Sequence, residues 1–447
     1  MNSKKEEKYD VIIIGAGQAG KPLAIYLAKA DRKVAIIERE HLGGSCVNYG
    51  CTPTKMLLAS ANTAHQARRS DEYGIKTGEV KVDFKAAMKR KDEAVVEARE
   101  GIEERLDEVK GITLIRGEAC FTGPKQISID LNEGGRQTLT ADHIIINTGA
   151  SSRVPDVEGM DEVDWLTSKT ALDLKESPEH LLIVGGGYIG LEFAQIFSRL
   201  GSKVTVIESN NQVMDGEDKD VADEMQKILE EEGITFHVGS EVDKVKQGKD
   251  GAVQVSIISE DKKTSGVTGS HLLFAVGTVP NTKALKLEAA GIDTDKKDCV
   301  EVDDYLETSQ KGIFAVGDVK GGPEFTHISY DDHRVVLERL LEGKKRSIEN
   351  RPVPYAVFTD PQLGRVGLSE EEAKKKKIKV KIAKMPMTKV SRANETGHTK
   401  GFMKVLIDAE NDQILGVAIL GMQGAEMMAM LQIAMMGKLT YQQLRDG

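Results

Sequence analysis

The sequence of 447 residues is poor in cysteine and aromatic residues, with four cysteines and one tryptophan, and it lacks a long apolar run. So few cysteines exclude the disulfide framework of a small secreted protein. No apolar stretch approaches the ~20 residues of a membrane-spanning helix, which predicts no membrane partner. The first ten residues lack the apolar core of a signal peptide. We therefore expect a cytoplasmic protein.

An excess of positive charge is missing as well, because the formal net charge is −10. This balance argues against a nucleic-acid partner. A metal-binding cysteine set is also missing, since Cys46 and Cys51 have no second close pair and their spacing is not that of a zinc ribbon. We predict no metal site, and we interpret the isolated Cys120 and Cys299 as ordinary thiols.

What the chain does contain is a close cysteine pair in the segment GGSCVNYGCTPTK, residues 43–55. Four residues separate Cys46 and Cys51, so a closed loop can bring their Cα atoms within disulfide reach. Thr52 and Pro53 predict a helix start, which places Cys51 near a helix N-terminus, where the dipole favours a thiolate. A lowered thiol pKa beside a reversible disulfide is what thiol–disulfide exchange requires. The segment therefore predicts a redox enzyme.

One pattern occurs twice, at residues 10–38 and 180–208. Each copy has a buried-type strand, a glycine fingerprint, an amphipathic helix and a second strand that ends in an acid, Glu38 or Glu208. This context is typical of a dinucleotide-binding unit, in which backbone approaches a pyrophosphate and the acid binds an adenosine ribose. Ordinary glycine turns are the alternative, which two complete copies disfavour. The fingerprint glycines are Gly15, Gly17 and Gly20, then Gly185, Gly187 and Gly190.

Both halves continue with short alternating strands and close with a strand and a small-residue turn, at residues 144–150 and 272–278. The first half is roughly 40 residues longer between the acid and this turn. The extra length matches the cysteines and a mainly helical segment near residues 53–108. Two nucleotide sites and one disulfide imply an electron path in which a nicotinamide supplies hydride, a flavin relays it and the disulfide accepts the electron pair.

The remaining sequence divides into two parts. The strand of residues 312–319 ends in Gly317 and Asp318, whose acid can meet a ribityl hydroxyl or a phosphate; a turn or a helix cap is the equal alternative. The last hundred residues contain several prolines, alternating strands and a methionine-rich helix from about Gly424 to Met436. They predict a separate α+β domain, with the methionines in core or subunit-interface packing.

Together these motifs resemble the pyridine nucleotide–disulfide oxidoreductases, the family of lipoamide dehydrogenase, glutathione reductase and mercuric reductase, over essentially the whole chain. The resemblance implies an α/β fold with two Rossmann-like dinucleotide-binding domains, for FAD and NAD, plus a C-terminal α+β dimerisation domain, and hence a homodimer. The implied boundaries are residues 1–150 for the first part of the FAD domain with the redox disulfide, 151–277 for the NAD(P) domain, 278–348 for the second part of the FAD domain, and 349–447 for the dimerisation domain.

The same resemblance implies site residues. Cys51 would be the flavin-facing thiol and Cys46 the interchange thiol that meets substrate. Lys55 would pair with Glu192 and stabilise negative charge on the reduced flavin; a solvated helix charge and a first-turn acid are the alternative. The residues implied for FAD are Gly15, Gly17, Gly20, Glu38, Gly44, Ser45, Lys55, Gly117, Ala119, Thr148, Gly149, Gly317 and Asp318. Those implied for the nicotinamide nucleotide are Gly185, Gly187, Tyr188, Gly190, Glu208 and Gly277.

Two of these residues bear on the nicotinamide nucleotide. Tyr188 resembles the family's gate over the flavin, with an aromatic packed on the sheet as the alternative. Glu208 is followed by Ser209 and Asn210 and by no nearby arginine. A carboxylate there favours the free 2′-hydroxyl of NADH over the phosphate of NADPH. We expect NADH as the donor, with NADPH left open.

The chain also departs from the family pattern. None of its nine histidines precedes a proline, whereas the family's proton-transfer histidine lies in an HPT…E motif near the C-terminus. We expect a chain truncated before that motif, with a natural absence of the motif as the alternative. Tyr49 replaces a small apolar residue of the redox loop, and Thr278 stands where an arginine is common. Neither change affects the class.

The substrate is predicted from two segments, residues 325–334 and 391–404, which look most like mercuric reductases and related oxidant reductases. An N-terminal metal-binding CxxC module and a C-terminal cysteine pair are both missing, and soft-metal transfer needs successive thiolates. We therefore expect a mercuric reductase-like enzyme that passes hydride from NADH through FAD to the Cys46–Cys51 disulfide and on to a disulfide, oxidised-thiol or soft-metal substrate. Dihydrolipoamide dehydrogenase is the main alternative, followed by an NADH oxidase or peroxidase and a non-catalytic flavoprotein scaffold.

Overall fold

A computed structural model describes residues 7–249 and 251–447. Its strands and helices are numbered here in chain order. The strands are β1 (Glu7–Ile14), β2 (Val34–Glu38), β3 (Ile112–Gly123), β4 (Gln126–Leu131), β5 (Arg136–Ile146), β6 (Ala150–Ser152), β7 (Trp165–Thr167), β8 (His180–Val184), β9 (Lys203–Ile207), β10 (Thr235–His237), β11 (Ser240–Gln247), β12 (Val253–Ser259), β13 (Thr264–Gly269), β14 (His271–Phe274), β15 (Thr278–Pro280), β16 (Ile313–Ala315), β17 (Tyr355–Val357), β18 (Gln362–Gly367), β19 (Val380–Pro386), β20 (Phe402–Asp408) and β21 (Ile414–Gly421). The helices are α1 (Gly20–Lys29), α2 (Gly44–Asn48), α3 (Cys51–Arg68), α4 (Phe84–Asp107), α5 (Ser168–Ala171), α6 (Tyr188–Arg199), α7 (Lys219–Glu231), α8 (Thr326–Glu342), α9 (Glu370–Lys375), α10 (Ser391–Glu395), α11 (Gly424–Met436) and α12 (Tyr441–Asp446).

The chain divides into two compact units, each made of three segments. The first unit contains the chain up to Pro53, Arg90–Ser152 and Thr278–Arg351. The second contains Thr54–Lys89, Arg153–Gly277 and Pro352–Gly447. Two of the boundaries fall inside the long helices α3 and α4, so these helices belong to both units.

The first unit is built on a parallel sheet in the order β3-β2-β1-β5-β16. Its central strand is buried on both faces, as is usual for parallel sheets. Val11 and Ile13 pack in a core with α1, whereas Ile12 and Ile14 pack in a core on the opposite face. The strands β3 and β5 are longer than their neighbours, and they extend into an antiparallel meander with β4 between them.

The second unit repeats this arrangement. Its parallel sheet has the order β10-β9-β8-β14-β7, and β11, β12 and β13 form the antiparallel meander. The central strand again faces two cores, with Leu181 and Ile183 beside α6 and Leu182 beside β12. The predicted repeat and the predicted α/β class with two Rossmann-like units are therefore confirmed.

The second unit also contains an antiparallel sheet in the order β17-β18-β21-β20-β19. One face of this sheet joins the core beside α6 and α7, and the other packs on α11. The methionine-rich helix has the bounds predicted from the sequence. It buries Met428 and leaves Met430, Ile433 and Met436 exposed on its outer face.

Charged side chains are buried where α7 of this unit meets the antiparallel sheet. The Lys404 ammonium donates to Asp218 at 2.7 Å, to Asp220 at 2.6 Å and to Glu370 at 2.9 Å. Three carboxylates thus surround one ammonium, which compensates part of their charge and satisfies their hydrogen bonds. Along residues 7–249 and 251–447 no helix is long and apolar enough to cross a bilayer.

Candidate active site

The two cysteines lie on consecutive helices of the redox loop. Cys46 is in the short helix α2, and Cys51 is the first residue of α3. The predicted helix start at Thr52 and Pro53 is therefore confirmed to within two residues. Cys51 Sγ lies 3.1 Å from Thr326 Oγ1, at the first residue of α8. Both cysteines are half-buried.

The two thiols differ in their tendency to ionise. The pKa of Cys46 lies far above its ordinary value, first because it hydrogen-bonds Cys51, then because it is buried, and then because of the negative charge of Cys51. Thr326 and Lys21 act in the opposite direction and lower this pKa. Burial in turn lowers the pKa of the Lys21 ammonium, and the charge of Cys46 raises it. The hydrogen bond to Cys51 and burial therefore both favour the protonated form of Cys46.

The first glycine fingerprint forms a tight loop between β1 and α1. Gly15 has φ +101°, a conformation that side chains disfavour, and a Cβ there would meet the Asn147 carbonyl. The Asn147 side-chain amide donates to the Gly15 carbonyl at 2.8 Å. From the end of β2, the Glu38 carboxylate accepts the Ala16 N–H at 2.9 Å and the Glu40 N–H at 2.9 Å. The predicted acid therefore also holds the loop that it follows.

The redox loop lies directly on this glycine loop. The Gly43 N–H donates to the Ala16 carbonyl at 3.0 Å, and Gln18 Nε2 donates to the Gly43 carbonyl at 3.2 Å. A Cβ at Gly44 would lie 2.8 Å from the Cα of Gly17. The structure thus brings Gly17 and Gly44 together, whereas the predicted phosphate neighbour Ser45 is exposed.

Two further predicted motifs follow strands of the same sheet. After β5, Thr148 and Asn281 form two hydrogen bonds, from Thr148 Oγ1 to the Asn281 carbonyl and from Asn281 Nδ2 to the Thr148 carbonyl, both at 2.9 Å. After β16, the Gly317 N–H donates to the buried Asp332 carboxylate at 2.8 Å. The pKa of Asp318 is raised to about 6, first by burial and then by the negative charge of Glu324.

The remaining residues predicted for FAD are Gly149, Gly117 and Ala119. Gly149 follows Thr148 with φ +64°. Gly117 lies where β3 leaves β2, one residue after the pairing of Arg116 with Glu38, and begins to pair with β4. Ala119 lies two residues further on and is buried.

The second glycine fingerprint has the same construction in the second unit. Gly185 has φ +110°, and a Cβ at Gly190 would meet its carbonyl. The Glu208 carboxylate accepts the Gly186 N–H at 2.6 Å and the Asn210 N–H at 2.7 Å. At the second predicted glycine of this set, Gly187, a Cβ would meet nothing within 4 Å. After β14, Gly277 has φ +98°. Tyr188 begins α6 and is 36% exposed.

Lys55 and Glu192 form an ion pair within the second unit. Lys55 Nζ donates to Glu192 Oε2 at 2.8 Å. The acid is 7% exposed and the ammonium side chain 35% exposed. Lys55 follows Cys51 by one helical turn of α3, so the residues share a helix face. The alternative, a solvated helix charge for Lys55 and a first-turn acid for Glu192, gives neither residue a partner, whereas the structure pairs them.

The two glycine loops suit dinucleotides because they lack side chains at the positions where the backbone is most crowded. At Gly15, Gly20, Gly185 and Gly190 an added Cβ would overlap a backbone carbonyl, so glycine alone lets each loop turn tightly into its helix. Each loop precedes a helix N-terminus, where backbone N–H groups favour a pyrophosphate. The residues present therefore fit an adenine dinucleotide in each unit.

Several residues that position the site carry no signal in the sequence analysis. They are Lys21, Asn147, Asn281, Thr326 and Asp332. Asn147, Asn281 and Thr326 contact residues 132, 133 and 275 positions away, so the sequence around them does not indicate these partners. Only the segment FTHISYDDHR, which contains Thr326 and Asp332, stands out as a family-like stretch.

Comparison with known proteins agrees with this geometry. Residues 9–332 match the family described as pyridine nucleotide-disulphide oxidoreductase, and residues 353–446 match its dimerisation domain. RclA of Escherichia coli, a probable pyridine nucleotide-disulfide oxidoreductase, is 36% identical over 443 residues, which are 98% of this chain and 95% of RclA. Mercuric reductase of Staphylococcus aureus is 34% identical over 444 residues, 99% of this chain and 80% of that enzyme. A mitochondrial dihydrolipoyl dehydrogenase of Dictyostelium discoideum is 35% identical over 436 residues, 96% of this chain and 88% of that enzyme.

The solved structures show the same relation. The HOCl-induced flavoprotein disulfide reductase RclA has a TM-score of 0.88 at 36% identity, over 98% of this chain and 95% of that one. Its Cu(II) complex has a TM-score of 0.89, over 99% of this chain and 96% of that one. Members of this family depend on FAD and NAD(P)H, which confirms the predicted cofactors. The chain therefore belongs to the pyridine nucleotide–disulphide oxidoreductases, as a flavoprotein enzyme with the family's dimerisation domain.

Proposed function

We propose that this protein is an NADH-dependent disulfide reductase that works through Cys46 and Cys51. The observation that carries the proposal is the hydrogen bond between Cys46 in α2 and Cys51 at the start of α3, which raises the pKa of Cys46. Bound FAD supplies two-electron transfer between a nicotinamide and a thiol pair. The overall reaction consumes NADH, one proton and a substrate disulfide, and it yields NAD⁺ and two thiols.

The chain's own residues divide the thiol chemistry between them. Cys51 holds the thiolate, since its Sγ contacts the Thr326 hydroxyl and lies at a helix N-terminus. Cys46, once deprotonated, attacks one sulfur of the substrate disulfide and releases the first thiol. Cys51 then attacks Cys46 in the mixed disulfide and releases the second thiol, which closes the Cys46–Cys51 disulfide. Two electrons from NADH return the pair to two thiols.

The nucleotides are assigned by the surroundings of each loop. The first loop, with Glu38 and the overlying redox loop, would hold FAD next to the cysteines, together with the other residues implied for it above. The second, with Tyr188 and Glu208, would receive NADH. Since Glu208 accepts the N–H of Gly186 in the loop and the N–H of Asn210 two residues after itself, its carboxylate is held at the end of β9, where it would meet the ribose. We expect a lower KM for NADH than for NADPH, and a smaller ratio between the two in Glu208→Gln; equal KM values in the native protein would contradict this preference.

The substrate class is proposed from the relatives. The RclA structures are described as HOCl-induced and as Cu(II) complexes, and mercuric reductases match 99% of this chain. Disulfides, oxidised thiols and soft metal ions share an affinity for thiolates. Dihydrolipoamide dehydrogenase is the second candidate, because the Dictyostelium enzyme is equally similar and Glu208 favours NAD. Steady-state rates with an aromatic disulfide, a Cu(II) salt and lipoamide distinguish the candidates.

The proposed domains and assembly follow the family. Residues 1–150 and 278–348 would form the FAD domain, 151–277 the NAD domain and 349–447 the dimerisation domain. The homodimer would use the match at residues 353–446. Light scattering of the purified protein is expected to give twice the 48.8 kDa of one chain.

The first test is an anaerobic titration of the purified yellow protein with NADH, followed by absorbance. A long-wavelength band before the flavin bleaches fully is expected, because the Cys51 thiolate would face oxidised FAD. Cys46→Ser should keep the band and lose disulfide turnover by at least about a hundredfold, and Cys51→Ser should lose both. Cys120→Ser, which changes a cysteine outside the pair, serves as the control. Bleaching without the band in the native protein would refute a role for the pair.

A further inference from the structure

Helix α6 carries three polar residues on its buried face, which is unusual for a helix in the core of a Rossmann-like unit. Glu192, Gln195 and Arg199 are spaced by three and four residues, so they form one stripe along the helix. They are 5%, 0% and 3% exposed. Buried polar groups destabilise a fold unless they are hydrogen-bonded. The hydrogen-bond partners of these three residues therefore decide whether the helix can bury them.

All three residues bind the same short stretch, residues 358–360, which we call the clamp. The Phe358 N–H donates to Glu192 Oε1 at 2.9 Å. Gln195 makes two bonds with Asp360, donating to its carbonyl at 2.9 Å and accepting its N–H at 2.7 Å. Arg199 Nη1 donates to the Asp360 carboxylate at 2.9 Å. Gln195 and Arg199 thus hold the C-terminal end of the clamp through Asp360, and Glu192 binds its N-terminal end through the Phe358 N–H.

The clamp touches both members of the Lys55–Glu192 pair. Glu192 Oε1 accepts the Phe358 N–H, and Glu192 Oε2 accepts Lys55 Nζ at 2.8 Å. Lys55 Nζ also lies 4.5 Å from the centroid of the Phe358 ring. One residue therefore binds the carboxylate through its backbone and the ammonium through its ring face, within the range of a cation–π interaction.

We propose that Phe358 is a positioning residue for Lys55, with Gln195 holding the clamp that carries it. The ring face and the Glu192 carboxylate together hold the Lys55 Nζ in one position. The backbone bond fixes the carboxylate whatever side chain residue 358 has. The catalytic consequence, a correctly placed cation during turnover, rests on the proposed function, whereas the order of the Lys55 side chain does not.

The test compares Phe358→Leu with Phe358→Tyr in the purified flavoprotein. Both variants keep the backbone bond to Glu192, but only tyrosine keeps a ring face. Brief treatment with acetic anhydride, followed by mass spectrometry, measures the acylation rate of Lys55 relative to the other lysines of the same sample. Since a Lys55 Nζ that leaves the ring face is more accessible to the reagent, we expect the relative rate to rise about three- to tenfold in Phe358→Leu and to stay within twofold of native in Phe358→Tyr.

Two further variants separate this effect from general loosening. Phe193→Leu, a buried aromatic change on α6 outside the polar stripe, should leave Lys55 acylation within twofold of native. Gln195→Met keeps the side-chain length but removes both bonds to Asp360, so it should raise Lys55 acylation by a few-fold. If Gln195→Met does not fold, the Phe358 pair still decides the question.

The proposal is overturned if Phe358→Leu acylates Lys55 at the native rate, or if Phe358→Tyr and Phe193→Leu raise the rate as much as Phe358→Leu does. Kinetics supply the second readout. In Phe358→Leu, kcat should fall while the KM for NADH stays within twofold. A native protein without NADH-dependent disulfide turnover would refute the proposed function, and the acylation rates would still test the clamp.

Discussion

The two glycine loops of this protein share their backbone and differ in what surrounds them. In each, the N–H of the first glycine donates to the second strand at 2.8 Å. In each, the acid at the end of that strand binds one N–H of the loop and one N–H two residues after itself. Glu38 and Glu208 are thus part of the turn as well as candidate ribose ligands. This common frame explains why one sequence pattern identified both.

The surroundings diverge immediately after the acid. In the first unit, Gly43 of the redox loop binds the Ala16 carbonyl; in the second, Met214 binds the equivalent Gly186 carbonyl at 2.9 Å. The first segment continues into the two cysteine helices, and the second continues to Asp218 and the buried charges around Lys404. Equivalent hydrogen bonds therefore connect the first loop to the segment with the redox cysteines and the second loop to the segment that leads to the charged cluster around Lys404.

A second difference lies on the adjacent strand. Asn147 follows β5, and Ala275 holds the same place after β14. The Asn147 amide binds the Gly15 carbonyl, whereas alanine has no amide. At the fourth position of the fingerprint, Gln18 binds the redox loop, and Tyr188 stands there in the second unit, 36% exposed. Hydrogen bonds from Asn147 and Gln18 thus hold the first loop on two sides, which suits a cofactor that stays bound.

The largest expected effect comes from separating the redox loop from the first glycine loop. In Gly44→Ala the new Cβ would lie 2.8 Å from the Gly17 Cα, at a residue with φ +65°. We expect a loss of about 3 kcal/mol or more of unfolding free energy and a fall in bound FAD of more than half. Flavin absorbance per protein and chemical unfolding measure both.

Gly343→Ala is the matched control for this change. Gly343 also has φ +65°, but a Cβ there would meet nothing within 4 Å. Its cost should be that of the backbone conformation alone, about 1 kcal/mol, with full FAD content. Equal losses in the two variants would mean that backbone strain, and not the contact with Gly17, explains the effect.

How much of the fold and of the site could be predicted depends on how far apart in the sequence the interacting residues lie. The strand, glycine and helix pattern is local, so both loops, the cysteine helix and the methionine-rich helix were predicted from the sequence nearly to the residue. Thr326 contacts a cysteine 275 positions away, and Phe358 contacts an acid 166 positions away. Nothing near either residue in the sequence indicates its partner, because the fold alone brings them together. Lys55 and Glu192 were predicted only through the family resemblance.

The second prediction uses the acid that follows β16 of the first sheet. In the corresponding place after β7, the second unit begins helix α5. Burial raises the pKa of Asp318 from 3.8 to about 6. An acid whose pKa is raised in the native state binds its proton more tightly in the folded protein than in the unfolded one. Its protonation therefore stabilises the fold fully below about pH 4, and this stabilisation is lost as the pH rises through 6. Asp318→Asn should therefore raise the unfolding free energy of the flavin-stripped protein at pH 8 by on the order of 1–3 kcal/mol, and change little at pH 4.

Two outcomes check this sign. Asp332→Asn should destabilise at pH 8 instead, because its carboxylate binds the Gly317 N–H and Arg351. If Asp318 also contacts FAD, Asp318→Asn will release the flavin more readily while the stripped protein gains stability. A stripped Asp318→Asn protein that is less stable than native at pH 8 would contradict the raised pKa.

The smallest expected effect comes from exchanging the residues that distinguish the two loops. Asn147→Ala removes the amide from the buried Gly15 carbonyl, which should cost about 1–2 kcal/mol and speed the release of FAD, with the KM for NADH unchanged. Ala275→Asn adds an amide beside the second loop and should leave the FAD content native, because that loop belongs to the other unit. Flavin release in mild denaturant and NADH titration measure the two effects. If Asn147→Ala kept FAD as firmly as native, the redox loop alone would retain the cofactor, and the amide would serve only to satisfy a buried carbonyl.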